Sequence, residues 1–195
     1  MAEVKVLIEG YARKAKTGWE ASSTVVLIKD NGKNIIVDPG INRKLLLNSL
    51  RKEKLQPKDI DIVFLTHYHP DHALLAGIFE NALVADGETI YEKDKETFYK
   101  GVIPGTNLTA IKTPGHAYEH FSLLAETKEG KIVVAGDVFW WTEGQEQKVN
   151  INQDDPFVKN KVALVKSRRE LLKIADLIIP GHGKTFCSTS GTSNF

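Results

Sequence analysis

The chain has 195 residues, a formal net charge of +1 at pH 7 and a single cysteine, Cys187. This length predicts one domain with a substantial core, and the balanced charge argues against a broad nucleic-acid-binding face. One cysteine excludes an internal disulfide and is typical of a reducing compartment. Because we find no leader-like N-terminus and no apolar run near twenty residues, we expect a cytoplasmic protein that does not enter membranes.

Strand-like and helix-like segments alternate along the chain, which predicts an α/β fold. In the N-terminal half, the predicted strands cover residues 3–8, 23–29, 33–37 and 60–66, with a polar loop over 10–21. Short strands and turns are expected over 82–99. In the C-terminal half, the predicted strands cover residues 108–112, 120–125, 131–135 and 176–179.

Two longer helices and one short helix are predicted between these strands. Asn42 is expected to cap the first, which ends near Lys54, and the short helix is expected over 72–78. The dipeptide Asp155-Pro156 is expected to start the last one. Its buried stripe is predicted to consist of Val158, Val162, Val165, Leu172 and Ala175.

The densest cluster of metal-ligand side chains follows the predicted strand over 60–66. The run Thr66-His67-Tyr68-His69-Pro70-Asp71-His72 holds three of the six histidines in the chain. Two histidines at positions i and i+2 can face one metal ion from an irregular loop, whereas Asp71 and His72 follow too closely to reach the same face. The cluster therefore predicts two neighbouring metal ions, each lacking one or two protein ligands. Imidazole and carboxylate ligands suit zinc, and also iron or manganese.

Three later loops each offer one further candidate ligand, and each of them follows a predicted strand. They are Thr113-Pro114-Gly115-His116, Gly136-Asp137 and Pro180-Gly181-His182-Gly183. An isolated histidine or aspartate after a strand is usually a turn residue. Four such loops, all ending in histidine or aspartate, instead form a pattern that supplies the missing ligands.

The ordered set of ligands, with its flanking glycines and prolines, resembles the metallo-β-lactamase superfamily of hydrolases over about residues 22–183. The resemblance implies a four-layered αββα metallo-β-lactamase sandwich. We expect one domain over residues 1–187 and a mobile Ser/Thr/Gly-rich tail over 188–195. By the same resemblance, the first metal would bind His67, His69 and His116, the second would bind Asp71, His72 and His182, and Asp137 would bridge them. Asp38 would orient a ligand imidazole from behind.

The resemblance further implies a hydrolase that uses two divalent metal ions. A hydroxide bridging the metals, with zinc expected and iron or manganese as alternatives, would attack an ester, thioester, lactone or phosphodiester. Asp71 is the candidate to accept a proton as well as to ligate. Other side chains are candidates for protonating the leaving group or contacting the substrate, namely His120, Tyr68, Tyr118, Lys184, Trp140 and Trp141.

Two alternatives stay open at this point. The segments Gly18-Trp19-Glu20-Ala21-Ser22-Ser23 and Asp137-Val138-Phe139-Trp140 make the chain similar to the metallo-β-lactamase domain-containing protein 1 group. That similarity implies a small hydrolase, with RNA-cleaving nuclease activity in some relatives. A small-molecule substrate is expected, but a short basic patch of Arg13, Lys14 and Lys16 leaves nucleic acid open as a substrate.

The second alternative is a mononuclear iron enzyme of the persulfide dioxygenase type. The sequence does not specify the oligomeric state.

Overall fold

The structure, a computed structural model, describes residues 1–188 of the chain. Within that range, the N-terminal strands are β1 (Glu3–Ile8), β2 (Tyr11–Lys14), β3 (Trp19–Ser22), β4 (Val25–Asp30), β5 (Lys33–Val37), β6 (Ile62–Phe64), β7 (Leu83–Ala85), β8 (Thr89–Glu92) and β9 (Lys95–Phe98). The C-terminal strands are β10 (Thr109–Lys112), β11 (Phe121–Thr127), β12 (Gly130–Trp140), β13 (Leu177–His182) and β14 (Phe186–Cys187). The α-helices are α1 (Arg43–Lys52), α2 (Pro70–Ala73) and α3 (Lys161–Ile174), and short 3-10 helices cover Pro57–Asp59 and Ala76–Ile78. No helix in the described part of the chain has the length and apolarity needed to cross a membrane.

Two mixed sheets organise these strands. The first has seven strands in the order β1-β4-β5-β6-β7-β8-β9, and the second has five in the order β10-β11-β12-β13-β14. Strands β5, β6 and β7 are parallel to one another, as are β12 and β13. The loops that follow β6, β12 and β13 therefore leave the carboxyl ends of parallel strands, where α/β folds form their sites.

Alternation of apolar side chains along β4 explains how the first sheet is covered on both faces. Val26 and Ile28 belong to the core between the two sheets, which also contains residues of the second sheet. Leu27 points the other way and packs with Leu46 and Leu50 of α1. These leucines are fully buried, and burying each such side chain contributes about 1.5–3 kcal/mol.

The second sheet repeats this arrangement with α3. Val134 of β12 belongs to the core shared by the two sheets, whereas Val133 packs with Leu164 and Leu171 of α3. The layers are therefore α1, the seven-stranded sheet, the five-stranded sheet and α3. The predicted αββα sandwich is confirmed.

The prediction of a polar loop over residues 10–21 is wrong, because these residues form the hairpin β2–β3. Ala12 pairs with Ala21, and Lys14 pairs with Trp19 across the hairpin. Gly18, with φ 97°, closes the turn. The alternation of inward and outward side chains that is typical of a strand was not apparent in the sequence, because charged residues occupy the outer face. Ala12, Trp19 and Ala21 share the inner face and cover a cavity described below.

The predicted start of the last helix is also wrong. Helix α3 begins at Lys161, and the Asn160 side chain caps it by accepting a hydrogen bond from the backbone N–H of Ala163. Val162, placed in the buried stripe by the sequence, is 82% exposed. Of the predicted stripe, Ala175 belongs to the core cluster beside α3, and Val158 and Leu172 pack against it. The buried residues of the helix itself are Leu164, Ser167, Arg168 and Leu171.

Smaller differences concern element ends. Helix α1 ends at Lys52, and β12 continues past the predicted residue 135 to Trp140. Helix α2 begins at Pro70, within the segment over residues 66–72 that carries four of the predicted ligands and that we call the ligand loop. Ser188 is buried, and its backbone N–H donates to the Asp176 carbonyl. The rest of the tail expected over 188–195 lies outside the described residues.

Candidate metal centre

The fold brings together the seven side chains that the sequence predicts as metal ligands. Four different segments supply them: the loop after β6 with helix α2, the β10–β11 loop, strand β12 and the end of β13. Two donor sets result, each with its ligand atoms within 4.8 Å of one another. The first set is His67, His69, His116 and Asp137, and the second is Asp71, His72 and His182.

Asp137 lies between the two sets, with one carboxylate oxygen toward each. Its Oδ1 is 3.2 Å from His72 Nε2 and 3.6 Å from His182 Nε2. Its Oδ2 is 3.3 Å from His116 Nε2 and 4.0 Å from His67 Nε2. A carboxylate in this position can serve both sets at once.

Unpartnered buried atoms test whether these residues fit metal ions. Among residues 1–188, four buried side-chain nitrogen or oxygen atoms have no hydrogen-bond partner, and three of them belong to the centre: His67 Nε2, His72 Nε2 and Asp137 Oδ1. Leaving a buried polar atom unsatisfied costs about 1–3 kcal/mol, and such atoms in native proteins call for a specific explanation. Imidazole nitrogens and a carboxylate oxygen that converge without hydrogen bonds are the donors that divalent metal ions need.

One carboxylate orients the two buried imidazoles of the ligand loop. His72 Nδ1 donates to Asp38 Oδ2 at 2.8 Å. The Thr66 hydroxyl donates to the same oxygen at 2.7 Å and lies 3.0 Å from His67 Nδ1. Asp38 is buried and adopts a left-handed backbone conformation, with φ 49°. Both imidazoles therefore turn their Nε2 atoms toward Asp137, because the hydrogen bond at the other ring nitrogen fixes the orientation of each ring.

The other two buried imidazoles among the candidate ligands each have a separate partner. His116 Nδ1 donates to Asp155 Oδ2 at 2.6 Å, and His182 Nδ1 donates to the Ser22 carbonyl at 3.1 Å. Sequence reasoning missed Asp155, which it assigned to a helix cap. The contact joins residues 39 positions apart, and no spacing rule could have found it.

His120 lies behind Asp137 and does not reach the cavity, which differs from the predicted contact with substrate. Its Nε2 accepts the backbone N–H of Asp137 at 3.2 Å, and its Nδ1 is 3.0 Å from the Thr113 hydroxyl. Burial, with the nearby His116 charge, lowers the pKa of His120 to about 3. A neutral imidazole that accepts at Nε2 and donates at Nδ1 holds the Asp137 backbone in place.

Glycine is required where β13 passes Asp137. A Cβ atom built on Gly181 would lie 1.8 Å from Asp137 Oδ1, far inside van der Waals contact. The Gly181 carbonyl also accepts the backbone N–H of Thr24 at 2.7 Å. The bridging carboxylate therefore sits against backbone on this side.

Charges inside the centre shift its pKa values in opposite directions. Burial tends to lower the pKa of His72, but the Asp137 and Asp38 carboxylates outweigh it and raise that pKa well above its usual value. Burial tends to raise the pKa of Asp137, yet the surrounding His72, His182 and His116 hold it well below its usual range. Desolvation lowers the pKa of His67. Asp137 is thus ionised and is held by positive charge.

A cavity of about 360 Å³ opens onto the centre. Its lining residues are Ala12, Trp19, Ala21, Ile41, His69, Pro70, Asp71, Asp137, Trp140, Phe157 and His182. Of the substrate-contact candidates, Trp140 is in this lining. Phe157 and the hairpin residues were missed by sequence reasoning because their approach depends on tertiary packing.

The other substrate-contact candidates do not line this cavity. The Trp141 indole N–H donates to the Lys148 carbonyl at 3.3 Å, and its ring packs in the cluster beside α3. Lys184 borders a separate cavity of about 200 Å³. The Tyr68 hydroxyl donates to the Asp86 carboxylate, and Tyr118 is 68% exposed.

Comparison with known proteins places this geometry in a family. The model of the metallo-β-lactamase superfamily matches residues 18–111. Metallo-β-lactamase domain-containing protein 1 of Xenopus laevis is 32% identical over 94% of this chain and 80% of its own length. The chain spans about 60% of the length of the mouse protein of that name.

Solved structures agree on the fold. A probable metal-dependent hydrolase from Staphylococcus aureus has a TM-score of 0.69 at 17% identity, covering 93% of this chain and 89% of the other. AidC, described as a dizinc quorum-quenching lactonase, has a TM-score of 0.59 at 16% identity, covering 85% and 74%. With the sequence relationship above, these findings show that the chain belongs to the metallo-β-lactamase superfamily of hydrolases.

Proposed function

We propose that the protein is a hydrolase whose centre holds two divalent metal ions, with zinc as the expected metal. The observation that carries this proposal is the position of Asp137, whose two oxygens each face a different donor set. One set alone would leave Asp71, His72 and His182 as an unexplained second cluster. The pair of donor sets therefore favours two metals over the mononuclear iron alternative.

The metals would lower the pKa of a water molecule and stabilise the oxygen that gains charge when an ester, thioester, lactone or phosphodiester is attacked. The side chains of the protein contribute by holding the metal ions in position and by accepting protons. Asp71 lines the cavity, and its Oδ2 is 3.2 Å from His182 Nε2. Burial raises the pKa of Asp71, but the hydrogen bond from His182 and the His72 charge outweigh burial and lower it. An ionised Asp71 can therefore hold a metal and accept a proton from a water in the cavity.

Metal analysis of the protein purified without added metal tests this proposal. We expect two metal ions per chain, and hydrolysis of at least one chromogenic ester, thioester, lactone or phosphodiester by the zinc-, manganese- or iron-loaded protein. Asp137→Ala should lose bound metal and turnover while remaining folded, because the two oxygens of this residue face both donor sets.

The matched control is Asp94→Ala, in the exposed turn between β8 and β9. It should keep both metals and full activity. Full activity of Asp137→Ala would contradict the bridged pair. A single iron per chain, with oxygen consumption and no hydrolysis, would instead support the mononuclear alternative.

A further inference from the structure

We infer that the cavity binds an uncharged, apolar part of the substrate against a wall formed by Trp19, Trp140 and Phe157. This inference rests on the proposed hydrolase function and narrows its substrate to carboxylic esters, thioesters or lactones with an apolar acyl group. We call these three residues the aromatic wall. Each comes from a different element: β3, the end of β12 and the segment before α3.

The aromatic wall is one packed surface beside the ligands. Ring centroids are 5.6 Å apart for Trp19 and Phe157, 6.2 Å for Trp19 and Trp140, and 6.0 Å for Trp140 and Phe157. These separations are those of aromatic rings in direct contact. A cage for a cationic group would have its rings spread around the ligand, whereas these rings pack on each other and present a continuous apolar face.

The wall also contacts the candidate ligands directly. The Trp140 ring lies 6.1 Å from the His182 ring, and the Phe157 ring lies 6.4 Å from the His116 ring, measured between centroids. Phe157 therefore borders the first donor set and Trp140 the second. A group bound against the wall would have its adjoining carbonyl near the two donor sets.

The chemistry of the remaining lining supports an apolar group. Of the eleven lining residues, four are candidate ligands, and the other seven are apolar: Ala12, Trp19, Ala21, Ile41, Pro70, Trp140 and Phe157. Within the described residues, this lining has no lysine or arginine. A cavity of about 360 Å³ lies in the range of small-molecule sites, about 300–1,000 Å³.

A nucleic acid would need cations along its flanking phosphates. The short basic patch of the hairpin, Arg13, Lys14 and Lys16, lies outside the cavity lining. Arg13 pairs with Glu20 at 2.7 Å and with Glu143 at 3.4 Å, so its charge is offset. Lys14 Nζ lies 5.9 Å from the centroid of the Trp19 ring, on the hairpin that covers the cavity. The balance of charge around the cavity favours a neutral substrate over a phosphodiester.

Binding of carboxylate products tests the wall without requiring turnover. We would titrate the zinc-loaded full chain with octanoate, butanoate and dimethyl phosphate by calorimetry. Octanoate should bind more tightly than butanoate, by up to about fourfold for each added methylene, as burial of apolar surface predicts. Trp19→Ala and Phe157→Ala should each reduce this ratio. Phe98→Ala, an 80% exposed phenylalanine on β9 outside the cavity lining, should not change it.

Kinetics extend the test to substrates. The ratio of kcat/KM for p-nitrophenyl octanoate over p-nitrophenyl butanoate should exceed one and should fall in the two wall variants. Taking the ratio within each variant cancels any general loss of activity. Bis(p-nitrophenyl) phosphate should be the poorest substrate of the three.

The outcomes separate this inference from the proposed function. Equal affinities for octanoate and butanoate would overturn the apolar subsite even if the protein hydrolyses esters. Tighter binding of dimethyl phosphate than of octanoate would overturn it as well. Absence of hydrolysis by protein that holds two metals would overturn the proposed function. The titration would still decide whether the aromatic wall binds an apolar group.

Discussion

The two halves of the metal centre are supported in different ways. In the N-terminal half, one loop supplies His67 and His72, and a single carboxylate, Asp38, orients both imidazoles. In the C-terminal half, three separate segments supply the ligands. Each ligand there has its own partner: Asp155 for His116, the Ser22 carbonyl for His182 and His120 for the backbone of Asp137.

This difference predicts whether a substitution of one supporting residue affects one metal site or both. Residues that share one hydrogen-bond network are coupled, whereas residues with independent partners behave additively. Loss of Asp38 should therefore affect binding of both metals, while loss of Asp155 should affect binding of one. The predictions below test this contrast, beginning where the halves meet.

The largest effect is expected from Gly181→Ala. The new methyl group would overlap Asp137 Oδ1, so the bridging carboxylate or strand β13 must move. We expect loss of bound metal from both donor sets, and kcat/KM lower by on the order of a hundredfold, as misplacement of a reacting group by about 1 Å produces. Metal analysis and steady-state kinetics would measure these effects.

Gly77→Ala is the matched control, since a Cβ at Gly77 has no neighbour within 4 Å. It should keep both metals and normal activity. If Gly181→Ala also retained both metals, the close packing of Asp137 against β13 would not matter for the centre.

Asp38→Asn should lower the affinity for both metals, by about 10–100-fold each, because removing the hydrogen-bond partner of a ligand imidazole typically costs that much affinity. An amide cannot accept from the Thr66 hydroxyl and His72 Nδ1 as the charged carboxylate does. Competition with a zinc chelator would give the two affinities. A loss confined to one metal would contradict shared support of the N-terminal half.

Asp155→Asn should lower the affinity for the first metal alone. We expect a loss of about tenfold, the lower end of the 10–100-fold range expected for Asp38→Asn. Its carboxylate contacts His116, which belongs to the first donor set only. Asp154→Asn is the control, because the neighbouring Asp154 side chain is 93% exposed and pairs with Lys161 on the surface. Equal loss at both metals would mean that the C-terminal supports are also coupled.

The smallest effect is expected from Tyr68→Phe, which removes the hydroxyl that donates to Asp86. This bond lies on the outer side of the ligand loop, and we expect a loss of about 0.5–1.5 kcal/mol in the free energy of unfolding, measured in urea. Metal content and kcat should be unchanged. A large fall in kcat would return Tyr68 to the role of proton donor that the sequence allows.

Local patterns determined much of this protein. The ligand loop was predictable because His67, His69, Asp71 and His72 lie within six residues, so their proximity in space needs no tertiary information. The strands of the sandwich were predictable because runs such as 60–66 are apolar and bounded by turn residues. His116, Asp137 and His182 were found because each lies in a short glycine-containing loop after a predicted strand, and the resemblance to the family then assigned their roles.

Tertiary structure alone decided the rest. Asp155 became a partner of His116 and His120 a support of Asp137 through hydrogen bonds that span 39 and 17 residues. The aromatic wall exists because β3, β12 and the segment before α3 meet over one cavity. Periodicity and spacing describe neighbours along the chain, whereas these contacts are made when separate elements pack. The residues that make these contacts therefore cannot be identified from the order of residues alone.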